Sequence, residues 1–196
     1  MSRGEELGMP CLLIIHGGIG AGKTTTAMVL AERARLRGVR VRGVLSRRVF
    51  EADRLAGYDL QDAESGRLFP LVRLRGAVTG EGWDTLGNPL YAFSLVGFSE
   101  ANTLLSEAAE RLDAKTLLIL DEYGGVESRG LGLRRGAESV LGSLRRGGAA
   151  VFLCRVDRVD EVVALASGKV DSVLCIEAGD PEAAWRIVAG CLGLKP

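Results

Sequence analysis

Short runs of apolar residues alternate with amphipathic segments along most of the chain. The first run, residues 11–16 (CLLIIH), is continuous, which is typical of a strand covered on both faces. Residues 23–37 instead carry apolar side chains at positions 27, 30, 31 and 34, the spacing of one helix face, and Gly38 follows as a stop. The alternation of the two patterns predicts a mainly parallel sheet flanked by helices.

The remaining pattern adds further elements to this α/β prediction. Strands are predicted at residues 39–45, 116–120, 149–154 and 172–176, and helices at residues 99–112, 133–146, 157–166 and from 181 onward. Ser99, Asp157 and Asp180 are the predicted N-caps, and Pro181 fits the first helical position. Residues 55–60 and 68–74 flank a turn-like segment and predict a small antiparallel hairpin. Residues 76–89 are typical of a loop, and residues 91–98 fit either a strand or a helix start.

Composition narrows the class of protein. A chain of 196 residues with 47% apolar residues predicts one domain over residues 1–196. The 25 basic and 25 acidic side chains cancel and aromatic residues make up only 5%, so a nucleic-acid partner or a membrane surface is not expected. Residues 1–10 lack the apolar core of a signal peptide, and no apolar run is long enough to span a membrane. We therefore expect a cytoplasmic protein, and the oligomeric state stays open.

The cysteines and the single histidine exclude some kinds of site. The four cysteines are Cys11, Cys154, Cys175 and Cys191, and no two have the spacing of a metal site or a CxxC motif. We expect them to be small buried hydrophobic residues of a reducing compartment. Because His16 is the only histidine, a His-rich zinc site is excluded, and we expect His16 to end the first strand.

A glycine-rich segment directly follows the first predicted strand and precedes the first predicted helix. It fits the pattern G-x-x-x-x-G-K-[ST] and consists of Gly17, Gly18, Ile19, Gly20, Ala21, Gly22, Lys23, Thr24 and Thr25. Glycines let backbone N–H groups surround a phosphate, and the helix N-terminus adds partial positive charge at the same place. The segment predicts a nucleotide-phosphate site, with Lys23 on the β- and γ-phosphates and the Thr24 hydroxyl on Mg²⁺.

Two adjacent carboxylates end a later apolar strand. The strand at residues 116–120 runs directly into Asp121 and Glu122. In proteins with a phosphate loop, an aspartate at such a strand end helps to hold Mg²⁺, so Asp121 is the second predicted metal residue. A glutamate beside it can polarise a water molecule against the γ-phosphate, so Glu122 is the predicted base.

Three motifs follow one another along this chain. They are the loop at residues 17–25, the strand Arg54-Leu55-Ala56-Gly57-Tyr58-Asp59-Leu60, and the segment Asp121-Glu122-Tyr123-Gly124-Gly125-Val126-Glu127. In this order and spacing they resemble the THEP family of nucleoside triphosphatases. The likeness extends over about residues 10–190. It implies a RecA-like, three-layer P-loop fold and Mg²⁺-dependent hydrolysis of nucleoside triphosphates such as ATP and GTP, with loose base choice. It also implies that Lys23 and Thr24 contact the phosphates and the metal, Asp121 the metal, and Glu122 the attacking water.

The chain departs from the family at several positions. His16 and Ile19 stand where the family usually has threonine and proline, and residues 176–180 lack the Asn-Arg pair associated with base recognition. Phosphoryl transfer also gains from an arginine on the γ-phosphate. Of the arginines on segments that could line the site, Arg54 lies in a family-like motif and is the first candidate; the others are Arg47, Arg48, Arg129, Arg134 and Arg135. A small-molecule kinase and a nucleotide-dependent switch remain alternatives.

Overall fold

A computed structural model describes residues 8–195. The prediction that residues 1–10 are not a signal peptide therefore lies largely outside the described residues. Within residues 8–195 the chain forms nine strands and five helices. The strands are β1 (Cys11–His16), β2 (Arg40–Glu51), β3 (Arg54–Asp62), β4 (Leu68–Leu74), β5 (Trp83–Asp84), β6 (Tyr91–Ser94), β7 (Thr116–Tyr123), β8 (Ala149–Cys154) and β9 (Val173–Glu177). The helices are α1 (Lys23–Leu36), α2 (Leu95–Glu110), α3 (Arg134–Ser143), α4 (Val159–Ala166) and α5 (Pro181–Cys191).

All nine strands belong to one sheet, in the order β5-β6-β4-β3-β2-β7-β8-β1-β9. The five strands from β2 to β9 in that order are parallel, as the βαβ alternation predicted. Their carboxyl ends therefore meet at one edge of the sheet, where α/β proteins bind their ligands. The loop after β1 and the carboxylates of β7 both lie at this edge.

Helices cover both faces of the sheet. Alternate strand residues pack in two separate apolar cores, one under α1 and α5 and the other under α2, α3 and α4. Leu13 and Ile15 point into the first core, and Leu12 and Ile14 into the second; all four are fully buried. The continuous apolar run of β1 is explained by this double coverage, and the predicted three-layer arrangement is confirmed.

The antiparallel part of the sheet is larger than the small hairpin that the sequence predicted. β2 does not end at residue 45 but continues to Glu51, and it turns through Ala52 and Asp53, both with positive φ, into β3. β4, β6 and β5 then pair antiparallel in succession beyond β3. The predicted hairpin is therefore correct for β3 and β4. The second half of β2 was missed because its residues are mostly polar and lack the apolar run that predicts a buried strand.

Two of the three predicted helix caps are wrong. α2 begins four residues earlier than predicted, because the Ser94 side chain, not that of Ser99, accepts a hydrogen bond from the Gly97 backbone at 2.9 Å. Asp157 lies in a 3₁₀ turn before α4 and pairs with Arg155 and Arg158, so it does not cap that helix. Asp180 caps α5 as predicted, accepting from the Ala183 N–H at 2.9 Å, and Pro181 follows at the first helical position.

The expectation that all four cysteines are reduced and buried is wrong. Cys11 at the start of β1 and Cys191 at the end of α5 form a disulfide, although 180 positions separate them in the chain. Cys154 is buried, as expected, but Cys175 is exposed on the edge strand β9. Spacing along the chain could not reveal the bond, because only the packing of α5 on the sheet brings its two cysteines together. Among the described residues, no helix is long and apolar enough to cross a membrane.

Candidate active site

The glycine-rich loop forms an open turn between β1 and α1. Gly20 and Gly22 have φ values of 78° and 86°, a left-handed conformation that glycine adopts without strain. Gly22 is also the N-cap of α1 and has no side chain to accept a bond from the first-turn N–H groups. Those N–H groups, together with the partial positive charge of the helix end, are therefore available to an anion.

The Lys23 side chain folds back over this loop. Its ammonium group donates hydrogen bonds to the carbonyl oxygens of Gly17 and Gly18, at 2.9 and 2.8 Å. The positive charge therefore lies across the loop, where a bound β- or γ-phosphate would exchange these carbonyl contacts for stronger, charge-assisted ones.

Asp121 is buried on the neighbouring strand with only part of its bonding capacity used. Its Oδ2 atom accepts a hydrogen bond from the Ser46 backbone N–H at 2.9 Å, and the carboxylate also bonds the Thr24 side chain. Its Oδ1 atom is buried and has no hydrogen-bond partner. Desolvation, followed by the nearby charge of Glu122, raises the pKa of Asp121 to about 7. A buried carboxylate with a free oxygen is costly unless a cation compensates it.

These residues fit a magnesium ion. The free Oδ1 atom of Asp121 and the hydroxyl of Thr24 are oxygen ligands of the kind that Mg²⁺ prefers, and the Thr24 side chain bonds the same carboxylate. Among residues 8–195 no group of three or more histidine, cysteine, aspartate or glutamate side chains could hold a metal. That is compatible with Mg²⁺, which uses one or two protein ligands and takes the others from water and substrate phosphates.

Glu122 owes its position to a bulge in β7. Leu120 pairs with Phe152, and Tyr123 pairs with Cys154. Between these two pairs β7 contains one residue more than β8, which is a β-bulge. Glu122 has a φ of 75°, which is strained for a residue with a side chain. The sequence predicted that the strand stops at residue 120, directly before this pair. In the structure the strand continues through the bulge, burying Asp121 and leaving Glu122 exposed.

Three influences determine the pKa of the Glu122 carboxyl group. Desolvation raises the pKa of its carboxyl, and the positive charges of Lys23 and Arg48 lower it, with a raised pKa as the net result. A raised pKa brings a carboxylate closer to the range in which it can accept a proton near neutral pH. The backbone strain and the raised pKa of Glu122 together are more typical of a functional than of a structural carboxylate.

The segment after Glu122 is held by a second, fully buried carboxylate. Glu127 accepts hydrogen bonds from the backbone N–H groups of Gly124 and Leu133, both at 2.9 Å. A Cβ atom on Gly132 would lie 2.2 Å from the nearer carboxylate oxygen of Glu127, so only glycine fits there. Glu127 therefore fixes both ends of the segment 124–133. Its sequence signal was membership of the third family-like motif, without any assigned role.

The other predicted site residues have varied positions. Ile19 is 86% exposed at the tip of the loop, and Thr25 lines a groove of about 630 Å³ between α1 and the strands β2 and β3. His16 ends β1 as expected, between Cys154 and Glu177 of the neighbouring strands, and its Nδ1 atom is buried without a partner. Arg54 lies at the tip of the β2–β3 hairpin, opposite Glu51 and exposed.

Comparison with known proteins agrees with this geometry. The family model described as NTPase matches residues 12–165, most of the chain. The chain belongs to this NTPase family. It is thus a nucleoside triphosphatase, a hydrolase that acts on nucleoside triphosphates, and the resemblance inferred from three motifs is confirmed.

Two solved structures share the fold of this NTPase. One is the crystal structure of THEP1 from the hyperthermophile Aquifex aeolicus, at 21% identity and a TM-score of 0.64, covering 90% of this chain and 94% of that one. The other is the solution structure of a human cancer-related nucleoside triphosphatase, at 20% identity and a TM-score of 0.62, covering 91% and 93%. No curated protein matches the chain.

Proposed function

We propose that this NTPase binds ATP, GTP and related nucleoside triphosphates with Mg²⁺ at the loop of residues 17–25 and hydrolyses them to the diphosphate and inorganic phosphate. The observation that carries the proposal is the meeting of Lys23, Thr24, Asp121 and Glu122 at one sheet edge. Thr24 is bonded to Asp121, and Lys23 lies close enough to Glu122 for its charge to act on the carboxyl. Backbone N–H groups and Lys23 would hold the phosphates.

The residues have separate tasks in this proposal. Thr24 and Asp121 would hold Mg²⁺, which when bound neutralises part of the phosphate charge. The Glu122 carboxylate orients a water molecule and accepts its proton as the water oxygen bonds to the γ-phosphorus. The bond from the γ-phosphorus to the bridging oxygen breaks, and that oxygen leaves with the diphosphate.

Two broader parts of the proposal concern the chain as a whole. The single continuous sheet supports one nucleotide-binding domain over residues 1–196. We also propose a cytoplasmic location, where nucleoside triphosphates are made. In a reducing cytosol Cys11 and Cys191 would be a pair of free thiols, so their redox state in cells tests this location.

Phosphate release from ATP, GTP, CTP and UTP, with Mg²⁺ and with EDTA, tests the proposal. We expect release with Mg²⁺ and no added acceptor, which also separates hydrolysis from kinase activity. Glu122→Gln should lower kcat by about 100-fold or more while nucleotide binding persists, because a base contributes roughly 10²–10⁴-fold. Glu107→Gln, on the exposed face of α2, is the matched control and should behave as wild type. Unchanged turnover in Glu122→Gln would contradict the assignment of the base.

Lys23→Ala tests the placement of the phosphates separately from the chemistry. Loss of the ammonium group that lies across the loop should weaken binding of a fluorescent ATP analogue by at least about tenfold, since a charge-assisted hydrogen bond contributes roughly 1.5–3 kcal/mol. Lys169→Ala, on the surface after α4, serves as the control. Wild-type affinity in Lys23→Ala would mean that the phosphates bind elsewhere.

A further inference from the structure

A phosphoryl-transfer site needs positive charge on the γ-phosphate, and most arginines near this site are already engaged. Arg134 bonds Tyr123 and Glu138, Arg158 bonds Ser128, Arg129 bonds the Gly125 carbonyl, Arg155 pairs with Asp157, and Arg47 contacts the Met28 sulfur. Moving any of them onto a phosphate would break these contacts. The structure therefore favours an arginine without a partner of its own.

Arg54, the first candidate from the sequence, lies too far along the hairpin. It pairs with Glu51, three residues beyond Arg48 on β2. At roughly 3.3 Å per residue, this places Arg54 about 10 Å further from the carboxylates than Arg48 along the strand direction.

Arg48 lies on the part of β2 that borders the site. Ser46, two residues earlier on the same side of the strand, donates its backbone N–H to Asp121 at 2.9 Å. Arg48 is exposed, and among residues 8–195 no carboxylate lies within ion-pair distance of its guanidinium group. Its charge nevertheless reaches the site, because it lowers the pKa of the Glu122 carboxyl.

The cross-strand neighbour of Arg48 limits where its side chain can lie. Tyr58 on β3 pairs directly with Arg48, and the two side chains share one face of the sheet. The charges of Glu122 and Arg48 both influence the pKa of Tyr58, which desolvation raises. Arg48, Tyr58 and Glu122 thus lie near enough to one another for their charges to interact.

We propose that Arg48 supplies, from within the same chain, the guanidinium group that contacts the γ-phosphate oxygens during hydrolysis. The inference rests on the proposed function, with Glu122 as the base. Arg48 forms no covalent bond and transfers no proton; its N–H groups donate to oxygens whose negative charge grows as the bridging bond breaks. The NTPase would then need no arginine from a partner.

Steady-state kinetics on Arg48→Ala, Arg48→Lys and Arg54→Ala test this inference. The matched control is Arg67→Ala, because Arg67 is an exposed arginine of the same antiparallel region that pairs with Glu100. We expect Arg48→Ala to lower kcat about 1000-fold, in line with arginines of this kind, and to leave KM for ATP within about threefold. Arg48→Lys should recover only part of the rate, because an ammonium group lacks the planar guanidinium fork that donates two parallel hydrogen bonds.

Added guanidinium provides a readout that a structural role would not affect. It should raise the turnover of Arg48→Ala and leave that of Arg67→Ala unchanged. Wild-type kcat in Arg48→Ala, or a large loss in Arg54→Ala with none in Arg48→Ala, would overturn the inference. Circular dichroism of Arg48→Ala and Arg48→Lys shows whether each variant is folded. If Arg48→Ala loses turnover, is not rescued by guanidinium and has a changed spectrum, the inference about Arg48 also fails.

The two levels of the proposal fail in different ways. If the wild-type protein releases no phosphate from any nucleoside triphosphate with Mg²⁺, the proposed function fails. If the wild-type protein releases phosphate and Glu122→Gln does not, while Arg48→Ala turns over normally, only the role of Arg48 fails.

Discussion

Asp121 and Glu122 show how one inserted residue separates two neighbouring carboxylates. A regular strand would place them on opposite faces of the sheet. The bulge in β7 instead buries Asp121 beside Thr24 and leaves Glu122 exposed beside Lys23 and Arg48. In the proposed function, the strain at Glu122 separates the carboxylate assigned to the metal from the carboxylate assigned to the water molecule.

The buried Asp121 makes the stability of the metal-free protein depend on pH. Its pKa is raised from 3.8 to about 7, so the folded state binds a proton more tightly than the unfolded chain. In EDTA, the free energy of unfolding should therefore be highest below about pH 4, fall as the pH rises toward about 7, and level off above it. The midpoint of this fall belongs to the coupled pair with Glu122.

Asp121→Asn should remove most of this dependence. At pH 8 in EDTA it should raise Tm by several degrees, because 1 kcal/mol corresponds to roughly 2–4 °C for a chain of this length. The same variant should lose Mg²⁺-dependent hydrolysis. Thermal unfolding from pH 4 to 8 provides the measurement. A variant less stable than the wild type across that range would show that the carboxylate is not a destabilising charge.

At the scale of elements, the segment between β7 and α3 is positioned by one internal carboxylate. Glu127 bridges Gly124, two residues after Glu122, and Leu133, directly before α3. Burial raises the pKa of Glu127, but the hydrogen bonds from Gly124 and Leu133 oppose that shift. The bridge restrains the backbone that follows the strained Glu122, so Glu127 is a positioning residue.

Glu127→Gln should therefore affect activity and stability together. An amide retains one acceptor but turns an N–H donor toward a backbone N–H, which leaves a buried donor unpaired and costs about 1–3 kcal/mol. We expect kcat to fall by about tenfold or more with KM nearly unchanged, and urea unfolding to shift to lower concentration. Glu138→Gln, on the exposed side of α3, is the control. A stability loss with wild-type kcat would restrict Glu127 to a purely structural role.

At the scale of the whole molecule, the disulfide connects the two ends of the described chain. Cys11 begins the strand that leads into the phosphate loop, and Cys191 ends the last helix. Gly8 lies against the same helix end, where a Cβ atom would be 2.1 Å from the Cys191 carbonyl oxygen. The bond closes a loop of almost the full chain, which restricts the unfolded state most strongly.

Removing this bond should lower stability and leave the chemistry intact. Chain-entropy arguments give about 5 kcal/mol for so long a loop, as an upper value. We expect Cys191→Ser to unfold at clearly lower urea concentration, and the fully reduced wild-type protein to do the same. Hydrolysis at 25 °C should stay near the wild-type rate. Cys175→Ser, which alters an exposed free thiol, is the control. Equal stability of Cys191→Ser and the wild type would contradict a stabilising role of the disulfide.

The sequence by itself determined the parts of this NTPase that follow from local chemistry. Four features could be predicted because residues that are neighbours in the chain create them: the phosphate loop, the βαβ alternation, the Asp180 cap and the Asp121-Glu122 pair. The family followed from the order of three such motifs. Burial on both faces explains why the parallel strands were the clearest elements.

The tertiary structure decided what depends on residues that are distant in the chain. Strand pairing carried β2 past its apolar part and placed Arg48 nearer than Arg54 to the carboxylates along the strand direction. A one-residue offset between β7 and β8 created the bulge at Glu122, and packing of α5 on the sheet paired Cys11 with Cys191. None of these has a local signal, because register and packing are set by both partners of each contact.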